Sequence, residues 1–350
     1  MTQSADGIMT QPADGIMTQP ADGPIVLDVH AHLVPVVEAR LAGLDGVEWD
    51  AAARVMYVDG HAVTMKKLFE PDELLAWMDR NRVECAWVST PPPLYRQHLS
   101  GTAARVWADY LNQGLAEIAA GTSGRIEALF HLPTQDPAVA TQIASAAIAH
   151  GHKLFSMPTG TGDDRGLSDP AFDALWHVLN GAGSFVFLHP GECADGRLRA
   201  FYLSNLLGNP YESSVALAHL VFAGVPQRYP AMTLCFAHGG GLAPMAAGRW
   251  DRGHATARPG IDPSGPTAAQ QLPGLHVDCI CHSEPAAILA EATFGQDHVL
   301  FGSDWPFPMG LIEPHEQLQA FAAERRARYL TCNPRLLLRR LGVENTSGAA

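Results

Sequence analysis

Two histidines stand one residue apart near the N-terminal end of the chain, in LDVHAHLVP. Side chains at positions i and i+2 of a β-strand point to the same side, so His30 and His32 could face one point in space. Imidazole is a common ligand of zinc and of similar divalent ions. The pair also occurs on exposed strands, where both rings are solvated, so by itself it leaves a metal site and a surface strand open.

Three further polar residues each end or follow a short apolar run. His189 lies in FLHP, His238 precedes three glycines in FAHGGG, and Asp304 follows VLFGS. An unpaired carboxylate after such a run would be costly to bury unless it met a cation. Any one of these residues could be a hydrogen-bonded core residue. Together with the first pair they match the ligand preferences of zinc or of a similar divalent ion. Zinc is expected, with manganese as the alternative, and no organic cofactor is expected.

The elements that must position these residues follow a regular alternation. Runs rich in Val, Ile, Leu and Phe predict eight strands, at 25 to 33, 84 to 90, 125 to 133, 152 to 158, 184 to 190, 232 to 240, 275 to 281 and 298 to 306. Between them lie helical segments, several of which open with Ser, Asp or Pro and close with Gly. This pattern predicts an α/β fold with a parallel sheet, and eight units favour a distorted (β/α)₈ TIM barrel. The polar residues would then meet at the C-terminal mouth.

Two segments depart from the alternation. Residues 1–24 are three copies of an eight-residue repeat, MTQSADGI, MTQPADGI and MTQPADGP, which predict a disordered tail because so polar a repeat cannot build a core. Residues 25–345 are expected to form a single barrel domain. Within them, residues 38–70 carry RVMYVDGHAVTM, in which Asp59-Gly60 predicts a small β-hairpin inserted after strand 1.

The composition excludes several classes of partner. A formal net charge of −13 leaves no basic stripe for nucleic acid. The longest apolar runs fall short of the roughly 20 residues of a spanning helix, and no signal peptide is evident, so neither a membrane nor secretion is expected and the location is expected to be cytoplasmic. Six cysteines without a CxxC pair predict reduced, buried thiols. Cys279 and Cys281 could share a metal, but small core residues are the favoured interpretation.

These motifs resemble the amidohydrolase superfamily (amidohydrolase-2 type), and within it the group of aminocarboxymuconate-semialdehyde decarboxylase and related metal-dependent decarboxylases. The resemblance runs from about Pro24 to the C-terminal helix and rests on DVHAHLVP, FLHP, GNPYESSVALAHLVFAGVPQRYP, LCFAHGGG followed by GRWD, and VLFGSDWPFPMG. It implies a mononuclear metal site whose ligands are His30, His32, His189 and Asp304. It also implies that His238 is the catalytic histidine.

The resemblance further implies a homodimer. In such relatives the arginine of the GRxD motif, here Arg249, reaches a neighbouring subunit's active site and holds a substrate carboxylate. A planar guanidinium suits that task because it binds a carboxylate with two parallel hydrogen bonds. The alternative interpretation is an ion pair with Asp251 or with a neighbouring helix.

The resemblance favours a metal-dependent nonhydrolytic decarboxylase, a carbon-carbon lyase acting on a small unsaturated or aromatic carboxylic acid, with metal-bound water and His238 to move protons. Asp304 is expected to be catalytic as well, and in a hydrolase it would be available as a proton acceptor. The best-known relative carries an arginine in its hairpin where this chain has Ala62, with Lys66 and Lys67 nearby. That departure keeps a hydrolase of an amide, a lactone, a C–C bond or an electron-poor ring carbon as the alternative. A third hypothesis is a metal-free binding protein. The polar residues that converge at the strand ends argue against it.

Five other residues are weaker candidates. His131 ends the third strand and either lines the pocket or packs as a hydrogen-bonded core residue. Lys153 and His219 are expected to be structural, because one opens a strand and the other lies in an apolar helical run. Glu192 and Arg197 are expected to be solvated loop charges rather than substrate contacts.

Overall fold

A computed structural model describes residues 23–343 of the chain. The predicted tail lies outside the described residues except for Gly23 and Pro24, as do residues 344–350. No helix within residues 23–343 combines the length and apolar character needed to cross a bilayer.

The strands are short and the helices are regular. The strands are β1 (Asp28–His32), β2 (Val47–Asp50), β3 (Val55–Val58), β4 (His61–Val63), β5 (Ala86–Ser89), β6 (Ile126–Ala128), β7 (Phe130–His131), β8 (Leu154–Pro158), β9 (Phe185–His189), β10 (Thr233–Phe236), β11 (His276–Asp278) and β12 (Val299–Leu300). The helices are α1 (Glu38–Leu41), α2 (Pro71–Asn81), α3 (Gly101–Ala120), α4 (Pro137–Ala149), α5 (Asp173–Ala182), α6 (Asn209–Phe222), α7 (Val225–Arg228), α8 (Ala243–Ala255), α9 (Ala268–Gln271), α10 (Glu284–Phe294), α11 (Pro314–Gln317), α12 (Ala323–Ala327) and α13 (Asn333–Leu341).

The strands form two parallel sheets, of order β1-β5-β6 and β12-β11-β10-β9-β8-β7. Each of the eight predicted runs contains parallel strand, so the predicted α/β class is confirmed. The third run is interrupted at Leu129, whose N–H donates to the Val88 carbonyl at 2.8 Å. As a result β6 pairs with β5 while β7 pairs with β8.

The chain after β12 runs alongside β1. The His32 N–H donates to the Trp305 carbonyl at 2.8 Å, and the Val29 N–H donates to the Phe301 carbonyl at 3.0 Å. The Asp304 N–H donates to the His30 carbonyl at 2.7 Å. These backbone bonds bring the two sequence-distant motifs DVHAH and FGSDWP side by side.

Both faces of the parallel strands are buried, which explains their near-continuous apolar sequences. One face carries a cluster that includes Val29, Trp87, Leu129 and Phe187, and the Trp87 ring meets the Phe185 ring edge-on at 4.7 Å. The other face packs against the helices in a larger cluster. Fully buried aromatic side chains of this size each contribute about 3–5 kcal/mol, judged by the cost of truncating them to alanine.

A three-stranded antiparallel sheet of order β2-β3-β4 lies between β1 and β5 along the chain. Asp59 and Gly60 join β3 to β4, with φ values of 49° and 78°. Positive φ at both positions matches the tight hairpin turn that Asp-Gly favours. Arg96, in the segment after β5, donates from Nε to the Asp59 carboxylate at 2.9 Å and so ties this turn to the parallel sheet.

All six cysteines are free. Four are buried and Cys281 is half-buried, but Cys332 is exposed. The prediction of buried thiols is therefore wrong for Cys332, which lies on the outer face of the helical turn before α13. Cys279 and Cys281 are not part of the His, Cys, Asp and Glu group that is close enough to hold a metal among residues 23–343.

Candidate metal centre

Five predicted side chains converge where the parallel strands end. His30 and His32 lie on β1, His189 is the last residue of β9, His238 follows β10, and Asp304 follows β12. The strands run parallel, so their carboxyl ends meet at one side of the sheets. The structure thus brings together residues that are up to 274 positions apart in sequence (304 − 30).

The side-chain atoms of this cluster lie close to a common point. Nε2 of His30 is 3.1 Å from Nε2 of His32, and Oδ1 of Asp304 is 3.3 Å from the first and 3.2 Å from the second. The His189 ring centroid is 5.0 Å from both of these rings and 5.2 Å from that of His238. Ligand atoms of His30, His189, His238 and Asp304 all lie within 4.8 Å of one another.

The outer nitrogens of three of these rings are already occupied. Nδ1 of His30 donates to Asp278 Oδ2 at 2.7 Å, Nδ1 of His32 lies 3.2 Å from the Ser89 hydroxyl, and Nδ1 of His189 donates to the Pro190 carbonyl at 2.8 Å. An outer hydrogen bond of this kind fixes the orientation of an imidazole and leaves Nε2 for a metal ion.

The donor set and its spacing fit a divalent ion. Two ligand atoms that are each about 2.0–2.1 Å from a tetrahedral ion are about 3.3 Å apart, and the three contacts among His30, His32 and Asp304 are 3.1, 3.3 and 3.2 Å. Imidazole nitrogens with one carboxylate suit zinc, and they also accommodate manganese. The residues present therefore fit one ion of this type.

The electrostatics of the cluster favour a positive charge at its centre. Burial opposes the ionisation of Asp304, but the neighbouring histidines hold its pKa well below its usual range. Burial lowers the pKa of His30, yet Asp304 and Asp278 outweigh this effect and raise it to about 10. Burial lowers the pKa of His32 and of His189. Two ionised carboxylates thus require a cation here, either a proton or a metal ion.

Asp278, the last residue of β11, is a functional residue that the sequence reasoning missed. It is fully buried, and besides His30 it accepts hydrogen bonds from the backbone N–H groups of His238 at 2.9 Å, Gly239 at 3.0 Å and Ile280 at 3.0 Å. It therefore orients one predicted ligand and holds the turn that carries His238. The sequence could have identified Asp278, because this carboxylate ends the apolar run LHVD just as Asp304 follows an apolar run.

Asp28 is a second carboxylate that was not predicted. It is fully buried at the start of β1, and it accepts hydrogen bonds from the N–H of His30 at 3.0 Å and from the N–H and hydroxyl of Ser303 at 2.9 and 2.5 Å. Burial raises its pKa to about 7. Through Ser303 it ties β1 to the turn that carries Asp304.

The three glycines after His238 all have positive φ. A Cβ atom on Gly241 would lie 2.1 Å from the carbonyl oxygen of Pro210, at the start of α6, so only glycine allows this approach. His238 and Asp304 also have positive φ, 56° in each case. Such backbone strain in non-glycine residues is concentrated at functional sites.

Arg249 is not brought to the cluster within its own chain. It lies on α8, is exposed, and has no ion pair among the contacts of residues 23–343. Asp251 instead accepts a hydrogen bond from the Ala269 N–H at 3.1 Å. The alternative interpretation of an ion pair between Arg249 and Asp251 is therefore not seen.

The weaker candidates separate into two groups. His131 is almost fully buried and stacks on Tyr95. By contrast, Lys153 and Glu192 are exposed. Arg197 forms an ion pair with Asp195, two residues earlier. Nδ1 of His219 lies 2.7 Å from the Ser168 hydroxyl.

Comparisons with known proteins place the chain in a family. The amidohydrolase family model matches residues 27–340. The 2-amino-3-carboxymuconate-6-semialdehyde decarboxylase of Dictyostelium discoideum is 27% identical over 312 residues, which cover 84% of this chain and 85% of the relative.

Solved structures show the same fold. The 2,6-dihydroxybenzoate decarboxylase from Rhizobium has a TM-score of 0.69 at 22% identity, covering 91% of this chain and 99% of its own. The 5-carboxyvanillate decarboxylase from Novosphingobium aromaticivorans, complexed with manganese and a nitrobenzoic acid, has a TM-score of 0.74 at 18% identity, covering 91% and 96%. The family match spans nearly the whole described chain and confirms the resemblance seen in the sequence motifs: the chain belongs to the amidohydrolase family.

Proposed function

We propose that the protein is a metal-dependent, nonhydrolytic decarboxylase of a small aromatic or unsaturated carboxylic acid. The observation that carries the proposal is the cluster of His30, His32 and Asp304, whose facing atoms are 3.1–3.3 Å apart. Its occurrence in a chain similar to several decarboxylases supports this reaction.

His30, His32, His189 and Asp304 would hold one divalent ion. The donor set supports zinc, and the ion bound in the similar 5-carboxyvanillate decarboxylase supports manganese. When bound, such an ion polarises a substrate oxygen and lowers the pKa of bound water to about 7. Asp278, Ser89 and Pro190 would keep the three imidazoles oriented for that task.

His238 is assigned to proton transfer rather than to metal binding. Its Nε2 is 3.9 Å from Asp304 Oδ2, so distance alone permits either role. Its Nδ1, however, has no hydrogen-bond partner among the described residues, unlike the outer nitrogens of the other three rings. Its side chain is 15% exposed, whereas those of His30 and His32 are not exposed at all. A partly exposed imidazole with one nitrogen that makes no hydrogen bond to the protein suits a proton carrier.

In the proposed reaction the bond between the carboxylate carbon and the substrate frame breaks, and its electron pair is taken up by a proton at the carbon that remains. His238 and Asp304 are the two groups placed to carry that proton. No water is added to the product, which separates this reaction from the hydrolase alternative.

The substrate carboxylate has no cationic side chain from β4 to hold it. Ala62 is exposed on β4, and Lys66 and Lys67 are exposed in the helical turn that follows. We assign the task to Arg249 of a second copy of the chain, in a homodimer.

The surface around Arg249 supports this assembly. Met245, one turn before Arg249 on α8, is 77% exposed, and the two side chains share one face of the helix. Other large apolar side chains are exposed just before α8, in the segment before α6 and at the start of α6, where the Leu242 N–H donates to the Pro210 carbonyl at 3.4 Å. Groups of exposed apolar side chains are typical of interaction surfaces. These exposed side chains are Phe201, Tyr202, Leu206, Leu207, Tyr211 and Leu242.

The two parallel sheets are proposed to form one distorted (β/α)₈ barrel within a single domain, with the antiparallel sheet inserted over its mouth. The backbone bonds between β1 and the chain after β12 support closure on one side. Phe307 supports the placement of the insertion, because it packs against the antiparallel sheet and its ring lies 5.5 Å from His32. A cytoplasmic location stays a prediction from the sequence.

Metal analysis and product detection test the function together. Purified protein loaded with zinc or manganese is expected to release CO₂ from members of a panel of hydroxybenzoates, carboxyvanillate and muconate-type acids. No oxygen from labelled water is expected in the product. Cleavage of amides, esters or lactones with incorporation of labelled oxygen, and no CO₂ from any acid, would establish the hydrolase instead.

A further inference from the structure

His131, the last residue of β7, faces the same interior as the candidate metal centre. Phe187 on β9 belongs to the buried cluster on the inner face of the strands. Across the ladders, His131 pairs with Ser156 on β8, and Ser156 pairs with Phe187 on β9. The Phe187 ring lies 4.8 Å from the His30 ring. Paired residues of neighbouring parallel strands point the same way, so His131 lies on the interior wall beside the site.

Tyr95 completes this wall. Its ring stacks on that of His131 with centroids 5.5 Å apart and an angle of 9° between the planes. Burial raises the pKa of Tyr95 above its usual value, so the phenol is neutral. The two rings therefore form one buried, stacked surface at the end of the third strand.

The imidazole of His131 lacks the partners that a buried polar group needs. It is 1% exposed, and neither Nδ1 nor Nε2 has a hydrogen-bond partner among the described residues. The other buried rings of the site differ, because His30, His32 and His189 each have an outer partner. A phenylalanine of similar size would avoid the desolvation of both nitrogens. An unsatisfied imidazole on the wall of a site thus indicates a ligand that supplies the missing hydrogen bond.

We propose that His131 is a specificity-determining residue that hydrogen-bonds a hydroxyl or amino substituent of the substrate. This inference rests on the proposed function for the site that it lines. The chemistry of the ring supports the choice of substituent. Burial lowers the pKa of His131 to about 4, so the ring is neutral at neutral pH and has one donor and one acceptor. A hydroxyl or amino group can use both, whereas a carboxylate only accepts and carries a charge that a neutral ring does not balance.

The test compares His131→Phe, which removes both nitrogens, with His131→Asn, which retains a neutral donor and acceptor. The matched control is His276→Phe, because His276 is another buried histidine with an unpartnered Nδ1, on the strand β11. The full-length, metal-loaded proteins are titrated by calorimetry with benzoate and with benzoates that carry one or two hydroxyl or amino groups. Metal content and melting temperature are measured on the same samples.

The wild-type protein and His276→Phe are expected to bind the best hydroxy- or aminobenzoate more tightly than benzoate. That preference should fall by at least about 10-fold in His131→Phe and be partly restored in His131→Asn. Metal content should not change. An undiminished preference in His131→Phe, an equal loss in His276→Phe, or failure of both His131 variants to fold would overturn the inference. Selective binding without CO₂ release would instead contradict the proposed function and leave the role of His131 supported.

Discussion

Two pairs of histidines occupy different regions of the molecule; His30, His32 and His276 are buried and His298 is half-buried. His30 and His32 lie at the candidate metal centre, with ring centroids 5.0 Å apart and planes at 88°. His276, on β11, and His298, just before β12, meet in nearly the same way, at 4.6 Å and 82°. The ring geometries are alike, but the surrounding charges are not.

The difference is the presence of carboxylates. Asp304 and Asp278 contact the first pair and raise the pKa of His30 to about 10. Burial dominates at the second pair, where His298 and Arg340 act in the same direction, and the pKa of His276 falls to about 3. Burial, reinforced by His298 and Arg340, thus keeps His276 neutral, whereas two ionised carboxylates turn a similar pair into a site for a cation.

Among the changes that leave the metal bound, the largest effect on rate is expected from His238. His238→Ala should retain the metal, because the three rings with outer hydrogen bonds remain, and should lose about 10²–10⁴ in rate, the usual contribution of a positioned proton carrier. Steady-state kinetics with metal analysis measure both. Near-normal turnover would remove His238 from the mechanism, and loss of the metal would make it a ligand.

Removing a carboxylate should make the first pair more like the second. Asp278→Asn keeps the shape of the side chain but removes its charge, and it weakens the orientation of His30 and of the turn at His238. Metal affinity should fall by about 10–100-fold, which competition with a chelator measures. An unchanged affinity would show that Asp278 only supports the fold.

The lowered pKa of His276 predicts that the folded protein loses stability as the pH falls. The folded pKa of His276, about 3, lies below its usual value of 6.5, so the unfolded chain binds a proton first as the pH falls. The stability that neutral His276 contributes is full above about pH 6.5 and is lost as the pH falls toward 3. At pH 5 the loss is about 2 kcal/mol.

His276→Phe should therefore flatten the pH dependence of unfolding between pH 7 and pH 5. Urea denaturation at the two pH values measures the free energies, with His150→Phe as the exposed-histidine control. An equal loss of unfolding free energy between pH 7 and pH 5 in the wild-type protein and in His276→Phe would contradict the lowered pKa of His276.

Arg249 tests whether the metal centre is complete within one chain. Arg249→Ala should raise the KM for an acidic substrate by about 10-fold, because a charged hydrogen bond to the carboxylate is lost. Mixing this variant with inactive His238→Ala should restore part of the activity, since some heterodimers would contain one intact site. An unchanged KM would reject the clamp. A raised KM without rescue, despite proven subunit exchange, would place the clamp within its own chain.

The parts of the site that could be predicted share one physical origin. Parallel strands end at a common edge, so polar residues at the ends of apolar runs, such as His189 and Asp304, are expected to converge whatever lies between them. Asp278 met the same criterion and was overlooked. The importance of Asp28 depends on its contact with Ser303, which no spacing along the chain reveals. The break of the third strand at Leu129 likewise depends on which neighbours the two halves pair with.

Metal stoichiometry tests the central claim most directly. The wild-type protein, His189→Ala and the control His276→Phe are loaded with zinc or manganese, freed of unbound ion and analysed by elemental mass spectrometry. We expect one ion per chain in the wild-type protein and in His276→Phe, and none in His189→Ala. Full occupancy in His189→Ala, or no bound ion in the wild-type protein, would contradict the assignment of this cluster as a metal centre.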